Sequence, residues 1–153
     1  MGLEVAVHDH GSDPLPNPDR WAEMAQTTLA AEGVNHGSFD LIFVDEDTIA
    51  ELNHEHMGKP GPTDVLAFPM DGGDESIDGV PAHVGDVVIC AAVAQRQAPD
   101  HAGSLEAELC LLIVHGVLHV LGHDHAEPDE TAVMVERERY HLSRYSFVHP
   151  TQR

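Results

Sequence analysis

Apolar and polar positions change period several times along the chain, and each change marks an element. Leu3-Glu4-Val5-Ala6-Val7 alternates, which predicts a strand with one buried face, with a loop over 8–16. Asn17-Pro18 reads as a helix start, and Trp21, Met24, Ala25, Thr28 and Leu29 recur at helical spacing until Gly33 stops the run. Phe39-Asp40-Leu41-Ile42-Phe43-Val44 is short, β-branched and aromatic, a strand, after which Asp45 can cap a helix through Ile49 and Leu52. Residues 54–62 are rich in glycine and proline and read as a loop carrying His54 and His56. Strands are expected over 64–68 and 84–90, joined by an acidic, glycine-rich connection over 71–81, and a short helix follows, ended by Pro99.

Two longer helices complete the pattern. Ser104 is the cap of the first, Glu106 and Glu108 suit the positive end of its dipole, and an apolar run carries it to Gly122. Pro128-Asp129-Glu130 opens the second, with Met134, Val135 and Leu142 as its inward side and Arg137, Arg139 and Arg144 set to pair with Glu136 and Glu138. The fold expected is α+β, a small four-stranded mixed sheet packed by about five helices with the Ser104 helix central, as a single domain over 1–153. Sheet order is not set by the pattern.

The chemistry sits at the end of that central helix, where His115, His119, His123 and His125 fall within eleven residues. His115 and His119 are four apart and stack on one helical face. Leu111, Leu112, Ile113, Val114, Val117, Leu118, Val120 and Leu121 surround them, so two unpaired imidazoles would be costly to bury, and a metal ion removes that cost. Gly122 is free to turn the chain back and bring His125 to the same ion. Three imidazoles with an open fourth position describe a catalytic zinc site, in which bound water is acidified towards a pKa of about 7. His123 is the rival third ligand, and Asp124 is placed to orient a ligand imidazole through its second nitrogen. Gly116 stands where zinc peptidases with His-Glu-x-x-His carry their general base, which counts against peptidase chemistry.

Composition narrows the setting. The start of the chain has neither a basic region nor a long apolar core, and no run approaches the roughly 18 apolar residues of a membrane span, so a cytoplasmic protein without a membrane partner is expected. Cys90 and Cys110 lie in apolar surroundings and read as reduced core residues. The net charge of −20, from 27 acidic and 7 basic side chains with Lys59 the single lysine, is unlike a nucleic-acid enzyme with a basic face. Two explanations offer themselves: a surface adapted to a salty cytoplasm, or binding that leans on the metal, backbone amides and a partner.

His115-Gly116-x-Leu118-His119-x-x-Gly122-x-Asp124-His125 resembles the signature of the YbeY family, metal-dependent single-strand endoribonucleases of ribosomal RNA maturation. Pro62-Thr63-Asp64-Val65-Leu66-Ala67-Phe68-Pro69 and Gly85-Asp86-Val87-Val88-Ile89-Cys90 resemble two further stretches of that family, in the same order. The resemblance implies a zinc-dependent endoribonuclease with one ion per chain on His115, His119 and His125, acting on single-stranded ribosomal RNA, particularly of the small subunit, alongside small-subunit components. Two departures stand out. His56 and Met57 occupy the place where many members have an aromatic residue and an arginine, and a thioether cannot replace that planar phosphate-binding fork. Lys59 is the candidate substrate-binding substitute, and Ala67 replaces a common serine. A ribosome-assembly factor without cleavage, and a zinc hydrolase of a small ester or amide, are the competing readings. Nickel and manganese compete with zinc, and oligomeric state is left open.

Overall fold

The computed structural model describes residues 2–11, 17–70, 82–124 and 126–152. Strands β1 (Leu3–His10), β2 (Gly37–Val44), β3 (Val65–Pro69) and β4 (His83–Ile89) form one sheet in the order β1-β2-β4-β3. β1 and β4 flank β2 in parallel, with Val5 opposite Phe39 and Leu41 opposite Val87, and β3 closes the far edge antiparallel to β4. Helices α1 (Pro18–Ala31), α2 (Glu46–Met57), α3 (Ala91–Gln97), α4 (Leu105–Val120) and α5 (Pro128–Ser143) complete the mixed α+β arrangement that the sequence predicts.

The two-residue period of β2 divides the core. Phe39, Leu41 and Phe43 point one way and join Val87 and Ile89, Trp21, Met24 and Leu29 of α1, and Leu109, Ile113 and Leu118 of α4 in one buried cluster. Val44, pointing the other way, packs with Leu66, Val88, Cys90 and Ile49 of α2 in a smaller cluster. Twelve of the sixteen residues of α4 are buried, which makes it the central helix. It crosses β4 at two glycines. A methyl group on Gly116 would stand 2.6 Å from Val87 Cγ1, and one on Gly85 would stand 2.7 Å from Val120 Cγ1, so both must be hydrogen for the helix to lie this close.

Local signals fare unevenly. Asp45 caps α2, accepting from the Thr48 N–H at 2.8 Å, and Ser104 caps α4, accepting from Ala107 at 3.2 Å. Asn17 does not cap: its backbone is left-handed, with φ 53°, and Pro18 alone marks the start of α1. β1 runs on to His10 through the stretch expected as a loop, because backbone pairing with β2 continues past the last apolar side chain to His10 opposite Val44. Likewise α2 continues through His54 and His56 and ends only at Gly58, φ 66°. The edge of the His56 ring meets Phe68 at 5.1 Å between centroids, a packing contact. The expected connection over 71–81 lies outside the described residues.

Candidate metal centre

The four-residue spacing of His115 and His119 does what helical geometry dictates: their ring centroids lie 4.6 Å apart, inclined by 75°. Both line a cavity of about 500 Å³ together with Gly116. Its other walls are Thr63, Asp64, Val65 and Ala67 at β3, and Asn53, Met57 and Lys59 at the end of α2. Met57 is 45 % exposed there. Lys59 is the one lysine or arginine among the described lining residues. The Asn53 amide donates to the Gly61 carbonyl at 3.0 Å and so holds the loop that carries Lys59.

His115 is gripped from behind by α5. Glu138 Oε2 lies 2.6 Å from His115 Nδ1, and Oε1 lies 2.8 Å from His149 Nε2. The Glu138 side chain is only 6 % exposed, and a buried carboxylate must have its oxygens bonded. Burial alone would raise its pKa, but the hydrogen bonds from His115 and His149 outweigh that and hold the group below the usual carboxylate value. With Nδ1 committed to Glu138, Nε2 is the ring nitrogen that a metal would take, the carboxylate–histidine arrangement that orients ligand imidazoles. The donor set therefore fits a metal ion. His125, the expected third ligand, lies outside the described residues.

The turn after α4 closes as the sequence expects. Gly122 adopts φ 101°, its N–H donates to the His119 carbonyl and the His123 N–H to the Leu118 carbonyl, so the helix ends in a left-handed reversal. His123 faces α1, with Nε2 3.8 Å from Glu32 Oε1. The other oxygen of Glu32 accepts from Arg137 and from His141 Nε2, the latter at 2.7 Å. Burial opposes ionisation of Glu32, yet these bonds and charges prevail and lower its pKa. Glu32 thus ties α1, α5 and the turn together. Asp124 is exposed in that turn, and the carboxylate placed on His115 is Glu138.

Several expected pairings are corrected. Arg137 pairs with Glu32, Arg139 with Thr151 and Arg144 with the Tyr140 hydroxyl, in place of Glu136 and Glu138. Glu108 lies in the first turn of α4, as the sequence expects, and is wholly buried there. It accepts from the Ala102 N–H and from Gln97, bonds to His101, and through Gln97 reaches Asp64 in the cavity wall. Glu138 had a readable signal. With Met134, His141 and Leu142 it occupies the buried face of α5, and an acidic residue on an apolar stripe calls for a partner. His149, in the tail, had none.

A second set of donors lies on the open face of the sheet. Asp40, His83 and Asp86 offer ligand atoms all within 4.8 Å of one another and could hold a metal ion. Asp40 and Asp86 are register partners, and a bulge after Ser38 brings His83 to their side. The Ser38 hydroxyl lies 2.8 Å from His83 Nδ1, while Nε2 is 2.8 Å from Asp86 and 3.7 Å from Asp40. His8 of β1 adds a bond to Asp40 at 3.2 Å.

Against known proteins, the model of the family described as Endoribonuclease YbeY matches residues 12–146. The chain belongs to that family. YbeY proteins are hydrolytic nucleases by name, and a YbeY endoribonuclease of Salinispora tropica is 44 % identical over 151 residues, covering 93 % of this chain and 91 % of the relative. One from Nocardia farcinica is 50 % identical over 140 residues, covering 88 % and 74 %. The fold is similar to the solution structure of TM1509 from Thermotoga maritima, with a TM-score of 0.60 at 26 % identity over 90 % of this chain and 87 % of that one. No single helix among the described residues is long and apolar enough to cross a membrane.

Proposed function

We propose that this chain is a zinc-dependent endoribonuclease that cuts single-stranded ribosomal RNA, particularly that of the small subunit, in its maturation and quality control. In this reading the whole of 1–153 is one catalytic domain, working in the cytoplasm beside small-subunit components. The observation that carries it is the pair of imidazoles on α4 opening on one cavity, with the back of His115 held by Glu138. His115, His119 and His125 are the ligands of one ion per chain, and Asp124 stands beside His125 to orient a ligand ring. Zinc bound there supplies Lewis acidity and lowers the pKa of water.

The chain's own residues supply the rest. Glu138 accepts a hydrogen bond from His115 Nδ1–H and so holds the ring with Nε2 as its ligating atom. Gly116 gives backbone to the cavity wall, the place of its missing side chain being taken by Val87 on the strand side. Lys59 offers a point charge to a phosphate at the mouth.

A second reading is favoured by Met57, an uncharged thioether on the cavity wall. It is an assembly factor that binds RNA there without cutting. One experiment separates the two: bound metal and cleavage of a single-stranded RNA, measured for the parent protein and His119→Ala. One ion per chain and cleavage, both lost in the variant with its circular dichroism unchanged, supports the nuclease. An ion without cleavage in the parent supports the assembly factor, and no ion in the parent sinks both as stated.

A further inference from the structure

The proton positions around Glu138 can be read outward from the tail of the chain. His149 is 5 % exposed and stands just before the 3-10 turn Pro150–Gln152. The backbone N–H of Thr151 donates to His149 Nδ1 at 3.2 Å, so Nδ1 is an acceptor there. The Thr151 hydroxyl lies 2.9 Å from the same nitrogen and itself accepts from Arg139 at 3.0 Å, which turns its proton towards His149. A ring that accepts at Nδ1 carries its hydrogen on Nε2. That hydrogen points to Glu138 Oε1 at 2.8 Å, and Glu138 Oε2 takes the Nδ1 hydrogen of His115 at 2.6 Å. Arg139 donates to Thr151, Thr151 to His149 and His149 to Glu138, whose other oxygen accepts from His115.

We propose that His149 is a positioning residue of the metal centre, through which the C-terminal segment holds Glu138, and Glu138 holds the His115 imidazole with Nε2 turned to the metal. The inference rests on the reading of His115 as a ligand. Without His149, one oxygen of a buried carboxylate loses its donor, and Glu138 is free to swing towards a new partner. The orientation of His115 then slackens although no ligand has been touched. Partners that orient metal ligands in this way are typically worth about 10- to 100-fold in metal affinity.

The test is zinc affinity by competition with a chromophoric chelator in the full chain, with thermal melting run in parallel. His149→Ala is expected to weaken zinc binding about tenfold. His149→Gln, whose amide nitrogen can stand where Nε2 donates, is expected to restore most of it. Proton NMR of the metal-free protein supplies a second readout: a hydrogen-bonded Nδ1–H resonance of His115, kept in the parent and His149→Gln, displaced in His149→Ala. Should His149→Ala not fold, Thr151→Val removes only the outer hydroxyl and is expected to give a smaller loss of the same sign. A His149 variant that melts earlier yet binds zinc within about twofold of the parent would overturn the inference, since a merely structural role gives that result. A parent that binds no zinc would instead overturn the ligand reading, and an unmoved His115 resonance in His149→Ala would then overturn the positioning role as well.

Discussion

Histidine and carboxylate stand side by side at several places among the described residues, and two of them, behind α4 and on the sheet, are built differently. On α4, His115 is backed by a carboxylate 6 % exposed, both of whose oxygens are taken by imidazoles. On the open face of the sheet, Asp40, His83 and Asp86 are 34, 31 and 23 % exposed, and water can complete any bond that their geometry leaves unmade. Close donors are common to both. What distinguishes the helical pair is that its surroundings forbid rearrangement: an unpaired Glu138 would be expensive, whereas an unpaired Asp86 is simply solvated. Preorganisation of this kind belongs to sites that must hold one geometry.

The contrast can be attacked at the packing that fixes the helix. Gly116→Ala places a methyl 2.6 Å from Val87 Cγ1 and is expected to destabilise by about 1–3 kcal/mol in chemical denaturation. Val87→Ala in the same chain should recover part of that loss, and full stability of the single variant would mean that α4 is not held as rigidly as argued. A smaller effect is expected at Glu32, on the order of 1 kcal/mol at neutral pH for Glu32→Gln. Its folded pKa is lowered beneath 4.5, so the stabilisation is present above that value and lost as pH falls through the lowered one. Melting curves of parent and variant should therefore differ at neutral pH and converge in acid; a constant gap would contradict the ion-pair account. The smallest change is expected on the sheet: Asp40→Asn with Asp86→Asn should cost at most about 1 kcal/mol and leave the metal content of the chain unchanged. A drop of one ion per chain would place a resident cation on Asp40, His83 and Asp86 and erase the contrast.

How far the sequence foretold these regions follows from the range of the forces involved. Helical spacing alone put His115 and His119 together, and a short β-branched and aromatic run alone marked β2 as a strand, because both depend on residues within a turn or a few steps of one another. Glu138 meets His115 across 23 positions and Glu32 meets His141 across 109, partnerships that no local period encodes. β1 outran its apolar stretch for a related reason: His8, Asp9 and His10 are strand because β2 pairs with their backbone, whatever their side chains. The Asp40–His83–Asp86 group needed both strand register and a bulge to be seen.

The two glycine contacts between α4 and β4 carry one more consequence. Val120 fills the space above Gly85, and Val87 fills that above Gly116, so each element supplies a knob where the other has a vacancy. A slide of the helix by one residue, or a rotation by a fraction of a turn, would drive a side chain into the strand. The compass heading of the two imidazoles is therefore set by a pair of missing methyl groups, one on each element, and this chain can redraw the rim of its cavity far more freely than it can re-aim its histidines.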